Sequence, residues 1–368
     1  MTSQTRPEPK FDWFVPIDGD GEHIGTVRAE RPPTFEYLKQ VVQTAEDNGY
    51  HGLLIPTRFA NGLFEETAPL AETWTTATAL AAVTSRIRFL VAVRPGFISP
   101  GMWGQMMAAL SNISGGRADV NIVPGGIQGD FERLGVHSDH AQRYALATEF
   151  IEASKLLWKA PEPVDYNGEV IKLEGAMVSP TPVGDGPRWY LGGASDNALD
   201  LAGQQADSLL MWIQPLDAIA GLMERARARF HAANRPAEFG LRTHVIVRDT
   251  EEEAWDAAED LLSQAQVVVE QQRQASFTGT AMVGQQAQSR SYEEHRVGDR
   301  LWNGISTVRV NCGTAIVGNP QQVADELMAY WRLGIDEFIL SGYPHVEEAE
   351  RVAKIVLPLV KEAAAGER

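Results

Sequence analysis

The chain is poor in the residues that build cross-linked, membrane-spanning or nucleic-acid-binding proteins. Its 368 residues include one cysteine, Cys312, so a disulfide within the chain is impossible and a cysteine-based zinc site is not predicted. Residues 1–10 are polar and lack the apolar core of a signal peptide, and no run of about 18 apolar residues occurs. We therefore predict a cytoplasmic protein with a short disordered start and no bound metal.

Basic residues are also scarce. Lys and Arg total 32 against 49 Asp and Glu, which gives a formal net charge of −17. Nucleic acid and anionic membranes are thus unexpected partners, because phosphate neutralisation needs clustered Lys and Arg. A small anionic substrate is still compatible with this charge, since a local pair of arginines can dominate a narrow cleft.

Short apolar, β-rich segments alternate with longer amphipathic segments along the chain. Strands are predicted over residues 12–17, 51–55, 87–93, 118–123, 188–191, 208–212, 241–247 and 337–340. Helices are predicted over 35–48, 67–83, 100–113, 143–158, 197–205, 216–233, from residue 251, and over 346–363. Alternating strands and helices imply parallel pairing, and eight such units favour a single (β/α)8 TIM barrel over residues 1–368. The alternative, an open doubly wound sheet, lacks a Gly-x-Gly-x-x-Gly motif after the first strand.

Two segments depart from this repeat. Residues 161–187 are rich in Pro and Gly and are predicted to form an excursion over the barrel. Residues 263–319 separate strands seven and eight, and their middle, 271–291, has little apolar periodicity. Loops after barrel strands open onto the active-site face, and a long unstructured loop inside a domain is usually a lid or a disordered insert. We predict a mobile lid over residues 263–305.

Polar residues at the predicted strand ends are the candidates for chemistry. Residues 192–195 (GGAS) precede a helix, and this pattern suits a phosphate, although it is equally an ordinary turn and helix cap. Arg242 and His244 lie two apart on strand seven, so their side chains share a face. Tyr343 and His345 are similarly spaced after strand eight. No His, Asp or Glu cluster has metal-ligand spacing.

Read together, these strand-end segments resemble the flavin-dependent alkanesulfonate monooxygenases of the bacterial luciferase-like family. They run in order over residues 11–360. The matching segments are 13–16 with 19–21, 54–57, 89–92 with 94–95, 114–117, 140–144, 192–196, 242–248, 313–318 and 340–345.

The resemblance implies a TIM-barrel enzyme with an insertion before the last strand. An NAD(P)H-dependent FMN reductase would supply FMNH2, and with O2 the enzyme would convert a small anionic organosulfonate into sulfite and a carbonyl product. Such proteins are commonly homodimers or homotetramers.

The resemblance also assigns site residues. The catalytic group would be the arginine pair Arg242 and Arg309, with His244 and Tyr343 as acid/base and proton-relay candidates. Substrate would meet Trp212, Asp18 and His345. The cofactor-binding residues would be Ala92, Asn121, Tyr144, Gly193, Ala194 and Ser195.

The departures from this family lie at the substrate mouth. Residues 58–61 contain no cysteine, Asp18 stands where the family has a histidine, and Pro124 replaces a threonine. Because Asp18 could accept hydrogen bonds from hydroxyl groups, a sugar sulfonate such as sulfoquinovose stands level with an alkanesulfonate. The alternative activity is deazaflavin-dependent hydride transfer on the same barrel, and the alternative class is a non-catalytic flavin-binding protein.

Overall fold

The computed structural model describes residues 6–126, 128–277 and 283–367. The elements of the first half are, in order, β1 (Lys10–Phe14), α1 (Phe35–Asp47), β2 (Gly52–Ile55), α2 (Thr73–Ala81), β3 (Arg88–Val93), α3 (Pro100–Ser114), β4 (Ala118–Ile122), α4 (Gln128–Arg133), α5 (His140–Lys159), β5 (Val164–Asn167) and β6 (Lys172–Ala176). No helix in the described part of the chain has the length and apolarity needed to cross a bilayer.

The second half continues the alternation of strands and helices. Its elements are β7 (Trp189–Gly192), α6 (Asp196–Gln205), β8 (Ser208–Trp212), α7 (Leu216–Ala232), β9 (Glu238–Val247), α8 (Glu251–Leu262), α9 (Val267–Phe277), α10 (Val283–Gln288), β10 (Leu301–Trp302), β11 (Ala315–Gly318), α11 (Pro320–Leu333), β12 (Glu337–Ser341), α12 (His345–Ile355) and α13 (Leu357–Gly366).

Eight parallel strands close into a barrel. Their order is β1, β2, β3, β4, β7, β8, β9 and β12, and β12 pairs with β1 again to complete the ring. The TIM-barrel prediction is therefore confirmed, and the open doubly wound alternative is wrong. All eight predicted strands are present, with bounds shifted by a few residues at most.

The barrel encloses a small apolar layer, and the helices pack around its outside. Because side chains alternate between the two faces of a strand, every second residue points inward. Six strands each contribute one buried residue to the inner layer: Phe14, Leu54, Leu90, Tyr190, Leu210 and Ile339. The larger core between strands and helices explains why the strands are apolar on both faces.

Helix boundaries follow local hydrogen-bond chemistry. α2 begins at Thr73, later than predicted, because the Glu72 carboxylate caps the amides of Trp74 and Thr75. The predicted last helix divides into α12 and α13, since Pro358 in the first turn of α13 has no amide hydrogen to donate. Capping boxes begin α5, α8 and α11, formed by Asp139 with Gln142, Thr250 with Glu253, and Asn319 with Gln322.

The segment predicted as an unstructured lid contains helices α9 and α10, so its description as unstructured is wrong. Periodicity missed α9 because a charged side chain anchors it: buried Arg273 donates to the carbonyl oxygens of Asn61, Phe64 and Val308. Residues 278–282 of this segment lie outside the described residues. A lid function for 263–305 stays a prediction.

β9 changes partner halfway along its length. It pairs with β12 as far as His244 opposite Ser341, and from His244 onward it also pairs with β11. Neither β11 nor α11 was predicted. Where β9 leaves β12, a second cavity of about 280 Å³ opens, and its lining includes His244, Tyr343, Arg248 and Glu348.

Two carboxyl groups meet in the interior near the N-terminal end of the barrel. Buried Asp12 lies beside Glu337, which accepts a hydrogen bond of 3.0 Å from Tyr190 Oη. Burial, and then the charge of Glu337, raises the pKa of Asp12 well above its ordinary value. Ligand-type atoms of Asp12, Glu337 and the exposed His51 lie within 4.8 Å of one another. Asp12 therefore keeps its proton to a higher pH than a free carboxyl group does.

Asp12→Asn is expected to stabilise the protein at pH 7. A carboxyl whose pKa is raised by folding costs stability as pH rises above its unfolded value of about 3.9, and asparagine has no such cost. We expect the free energy of unfolding to rise by about 1–3 kcal/mol at pH 7 and to match wild type near pH 3. Urea denaturation at both pH values measures it. A fall in wild-type stability on adding EDTA would instead indicate a bound cation.

Candidate active site

A cavity of about 290 Å³ opens at the C-terminal ends of the barrel strands. Phe14 ends β1, Arg58 and Arg94 follow β2 and β3, and Arg242 lies within β9. Arg309, Asn311 and Cys312 before β11 also line the cavity. This is the face on which barrels place their catalytic groups, because loops after the strands converge there. The other lining residues include Ala92, Asn121, Arg143, Tyr144, Gly193, Ala194, Ser195, Trp212 and Arg309.

The cavity wall is cationic although the protein is acidic. No described lining residue is Asp or Glu, and five are arginines. These are Arg58, Arg94, Arg143, Arg242 and Arg309. Two carboxylates lie behind the wall, with Asp18 2.9 Å from Arg58 Nε and Asp130 3.6 Å from Arg94 Nη1. The described wall of the cavity therefore carries positive charge.

Arg242 and Arg309 lie close together over one aromatic ring. Their guanidinium carbons are 4.5 and 5.0 Å from the centroid of Phe14. Both side chains are buried, and among the described residues neither pairs with a carboxylate. Burial lowers the pKa of Arg242 to about 10, and the charge of Arg309 acts in the same direction. Arg242 therefore stays charged at neutral pH, and neither arginine has a carboxylate counter-ion in the described part of the chain.

Two hydroxyl groups at the end of β12 hold this pair. Arg309 Nη1 donates to Tyr343 Oη over 2.6 Å, and Arg242 Nη2 donates to Ser341 Oγ over 2.8 Å. Because guanidinium has no acceptor, the Tyr343 oxygen accepts and its own proton stays available. Burial raises the pKa of Tyr343 to about 12 against the influence of Arg309 and Arg242, so the phenol stays protonated.

His244 lies behind Arg242 and lines the second cavity rather than the first. Its Nε2 is 3.0 Å from the carbonyl oxygen of Cys312, and its Nδ1 is 2.7 Å from Ser341 Oγ. Burial, then the charges of Arg242 and Arg309, lowers the pKa of His244 well below its ordinary value. The ring is therefore neutral at physiological pH, and both of its nitrogens are occupied.

Two predicted substrate residues do not line the cavity. The Asp18 carboxylate is buried against Arg58 and accepts a hydrogen bond of 2.7 Å from the amide of Gly62. His345 is also buried, with Nδ1 3.1 Å from Asp20 Oδ1. Tyr343, a predicted catalytic residue, reaches this cavity only through Arg309.

All six predicted cofactor-binding residues and Trp212 line the cavity. Ser195 caps α6 by accepting a hydrogen bond from the Ala198 amide, and the N-terminal end of this helix lies beside the cavity, next to Tyr144. Asn121 presents a buried Oδ1 that has no hydrogen-bond partner. A flavin phosphate fits the helix end, and a ring N–H fits the unpartnered amide oxygen.

Gly193 provides the close approach that this helix end needs. A Cβ at this position would lie 2.6 Å from Ala198 Cβ in the first turn of α6. Gly193→Ala is therefore expected to weaken FMN binding at least about tenfold, because the backbone has to shift away from the phosphate position. Flavin fluorescence titration measures it, and Gly221→Ala, which meets open space, is the matched control. Equal FMN affinity in both variants would contradict this placement.

Several site residues were not identified from the sequence. Arg58 and Arg94 follow strands two and three. Their position at strand ends was visible in the sequence, but it did not indicate what either residue does. Phe14 is apolar and resembles any buried strand residue. Ser341 acts through side-chain contacts between β9 and β12, which no local pattern reveals.

Solved structures share this fold at low sequence identity. The chain is similar to the long-chain alkane monooxygenase LadA, with a TM-score of 0.78, 17% identity and coverage of 97% of this chain and 92% of that one. For DmoA from Hyphomicrobium sulfonivorans the values are 0.77, 18%, 97% and 88%. For an F420-dependent secondary alcohol dehydrogenase in complex with an F420-acetone adduct they are 0.70, 15%, 96% and 99%.

The family assignment comes from the sequence itself. The sequence model of the luciferase-like monooxygenase family matches residues 10–337, which is most of the 368-residue chain. With its closed barrel and a cavity at the C-terminal face, the protein belongs to the luciferase-like monooxygenase family and is an oxidoreductase.

Proposed function

We propose that the protein is a two-component monooxygenase that uses FMNH2 and O2 to cleave the carbon–sulfur bond of an organosulfonate. The observation that carries the proposal is the pair Arg242 and Arg309 on the cavity wall, both buried and, among the residues that the structure describes, both without a carboxylate partner. Guanidinium groups present several donors in a plane, which suits the oxygens of a sulfonate. Burying such cations without a counter-ion is costly, and a bound anion offsets that cost.

The cofactor would lie against the opposite wall. Tyr144, Gly193 and Ser195 would hold its phosphate, and Ala92 and Asn121 would meet its ring system. Bound FMNH2 would supply the two electrons that activate O2. A separate NAD(P)H-dependent FMN reductase is the proposed source of FMNH2.

The chain's own residues then bind and orient the substrate. Arg242 and Arg309 hold the sulfonate, and the ring of Phe14 fixes the two guanidinium groups. Trp212 adds apolar wall near the carbon chain, which excludes water. Tyr343 keeps its proton at Oη, while neutral His244 acts from behind Arg242.

The reaction balances as follows. The carbon–sulfur bond breaks, and sulfur leaves as sulfite with the bonding electron pair. One oxygen atom of O2 becomes the carbonyl oxygen of the organic product, and the other becomes water. When bound, FMNH2 would supply the two electrons and two protons that end in the water, and the carbon that becomes the carbonyl would release one C–H hydrogen as a proton.

The substrate within this class stays open between an alkanesulfonate and a sugar sulfonate. The argument for a sugar depended on a free Asp18 carboxylate. Because Asp18 is occupied by Arg58 and the amide of Gly62, it does not support that argument. Polar groups that could meet hydroxyls do line the cavity, among them Thr57, Gln214 and Asn311.

Sulfite release tests the proposal. The purified protein is combined with FMN, NADH, an FMN reductase and O2, and 1-alkanesulfonates of two to ten carbons are compared with sulfoquinovose. We expect sulfite from at least one sulfonate, with none when O2 or the reductase is omitted and no loss on adding catalase. No sulfite from any sulfonate would contradict the proposal. An anaerobic arm with reduced deazaflavin and a ketone panel detects the alternative, hydride transfer.

A homodimer or homotetramer is proposed by the same resemblance. Light scattering after size exclusion measures the mass against 40.4 kDa for one chain. A monomer at the concentrations used in the assay would contradict it.

A further inference from the structure

Arg242 and Arg309, which form the proposed anion site, repel each other. Each therefore needs a hydrogen-bond partner that keeps it in place, which we call its holder. Both are buried, and the charge of Arg309 lowers the pKa of Arg242. The holders are neutral hydroxyls two residues apart at the end of β12, Tyr343 for Arg309 and Ser341 for Arg242. Gly342 between them has no room for a side chain, since a Cβ would lie 2.7 Å from Glu348 Cβ. This tight segment fixes the spacing of the two guanidinium groups.

The proton positions around Ser341 follow from donor and acceptor chemistry. Arg242 can only donate, so Ser341 Oγ accepts its bond. The Cys312 carbonyl oxygen can only accept, so His244 carries its single ring proton on Nε2. His244 Nδ1 is then an acceptor, and the Ser341 hydroxyl donates a hydrogen bond of 2.7 Å to it. Each hydrogen bond in this series, from Arg242 through Ser341 and His244 to Cys312, therefore has a fixed direction.

We infer that Ser341, oriented by His244, is a positioning residue that fixes Arg242 for the anion. His244 thus acts on the substrate through Ser341 and Arg242 and makes no contact with it. The His244 ring also stacks on the Tyr343 ring, with 5.5 Å between the ring centroids and 18° between the ring planes. His244 therefore contacts both Ser341 and Tyr343, the two hydroxyl residues that hold the arginines. This inference rests on the proposed function, because it requires that Arg242 binds an anion.

The test is the charge selectivity of Ser341 variants. Binding to the FMN-loaded protein is measured by calorimetry for two matched pairs, 1-octanesulfonate with 1-octanol and sulfoquinovose with glucose. In Ser341→Ala we expect sulfonate affinity to fall about tenfold, while the alcohol, glucose and FMN bind as in wild type. Ser341→Thr keeps the hydroxyl and is expected to restore affinity to within about threefold. Ser208→Ala, a buried serine at the other end of the barrel, is the matched control.

A second measurement covers the case in which Ser341→Ala does not fold. Nitrogen-15 NMR of histidine-labelled wild-type protein reports the His244 ring directly, and we expect a neutral ring with its proton on Nε2 from pH 6 to 8. The charged or titratable groups facing this ring are Arg242 on its own strand, Arg309 and Cys312 before β11, and Tyr343 and His345 after β12. A proton on Nδ1 in that range would overturn the inference.

The outcomes separate the inference from the proposed function. If wild type binds no sulfonate, the proposed function fails. If wild type binds a sulfonate and Ser341→Ala binds it equally well, the inference is overturned and the proposed function stands. An equal loss for charged and uncharged ligands would show a merely structural role for Ser341 and would also overturn it.

Discussion

Arg309→Ala is expected to lower kcat/KM for the sulfonate by two to three orders of magnitude. Truncating one member of a buried, hydrogen-bonded charge contact costs about 2–5 kcal/mol, and each 1.4 kcal/mol is about tenfold. Arg309 would contribute one half of the sulfonate contact, and its Nε has no other partner. FMN affinity is expected to stay within about twofold, because the predicted flavin residues lie on β3, β4, α5 and the turn between β7 and α6. Steady-state sulfite release and flavin titration provide the two measurements.

Three variants make this prediction specific. Arg309→Lys keeps the charge but loses the planar donor pair, so we expect an intermediate loss. Tyr343→Phe removes the holder of Arg309, and its effect should not add to that of Arg309→Ala, since both remove one contact. Arg300→Ala, whose guanidinium pairs with Glu251 on the surface, is the control. Normal sulfonate turnover by Arg309→Ala would refute the anion site.

Asp20→Ala is expected to lower the free energy of unfolding by about 3–5 kcal/mol. The Asp20 carboxylate is fully buried and accepts hydrogen bonds from the amide of Gly21 at 2.9 Å, the amide of His345 at 2.6 Å and the hydroxyl of Tyr37. Its removal leaves these buried donors without an acceptor, and each such loss costs about 1–3 kcal/mol. It also unties α1 and α12 from the loop after β1.

Urea denaturation measures the change, with two comparisons. Asp20→Asn keeps one acceptor oxygen and should lose less stability than alanine. Asp47→Ala, at the exposed end of α1, should change stability by less than about 0.5 kcal/mol. Because His345 begins α12 directly after Tyr343 and Pro344, we also expect weaker sulfonate binding in folded Asp20→Asn. Unchanged stability of Asp20→Ala would contradict the role assigned to this carboxylate.

The strands were predictable because each barrel strand is a short apolar run followed by a longer amphipathic segment, and this alternation is visible in the sequence. Runs such as 87–93 are apolar on both faces, as a parallel strand between a core and helices requires. The elements between α8 and β12 were not predictable in the same way. α9 depends on Arg273 and three distant carbonyls, and β11 is only four residues long. Their structure comes from tertiary contacts.

The candidate site was likewise predictable only in part. The cofactor wall could be assigned by resemblance, and all its residues line one cavity. Asp18, His345, His244 and Tyr343 were also assigned, yet burial and hydrogen bonding keep all four off that cavity wall. Sequence position identifies the strand end at which a side chain lies. It does not identify which of two cavities the side chain faces, because β9 opens the second one by changing partner at His244.

The cationic cavity lies in a chain with a formal net charge of −17, and this contrast affects how ligands arrive. At low ionic strength the long-range field repels the phosphate of FMN and a sulfonate alike, so free anions should associate slowly. Added salt screens this distant repulsion within about 8 Å at 0.15 M but weakens the buried contacts much less. Association rates should therefore rise with salt, the reverse of an electrostatically steered enzyme. At low salt, direct transfer of the flavin from the proposed reductase would therefore gain most over diffusion.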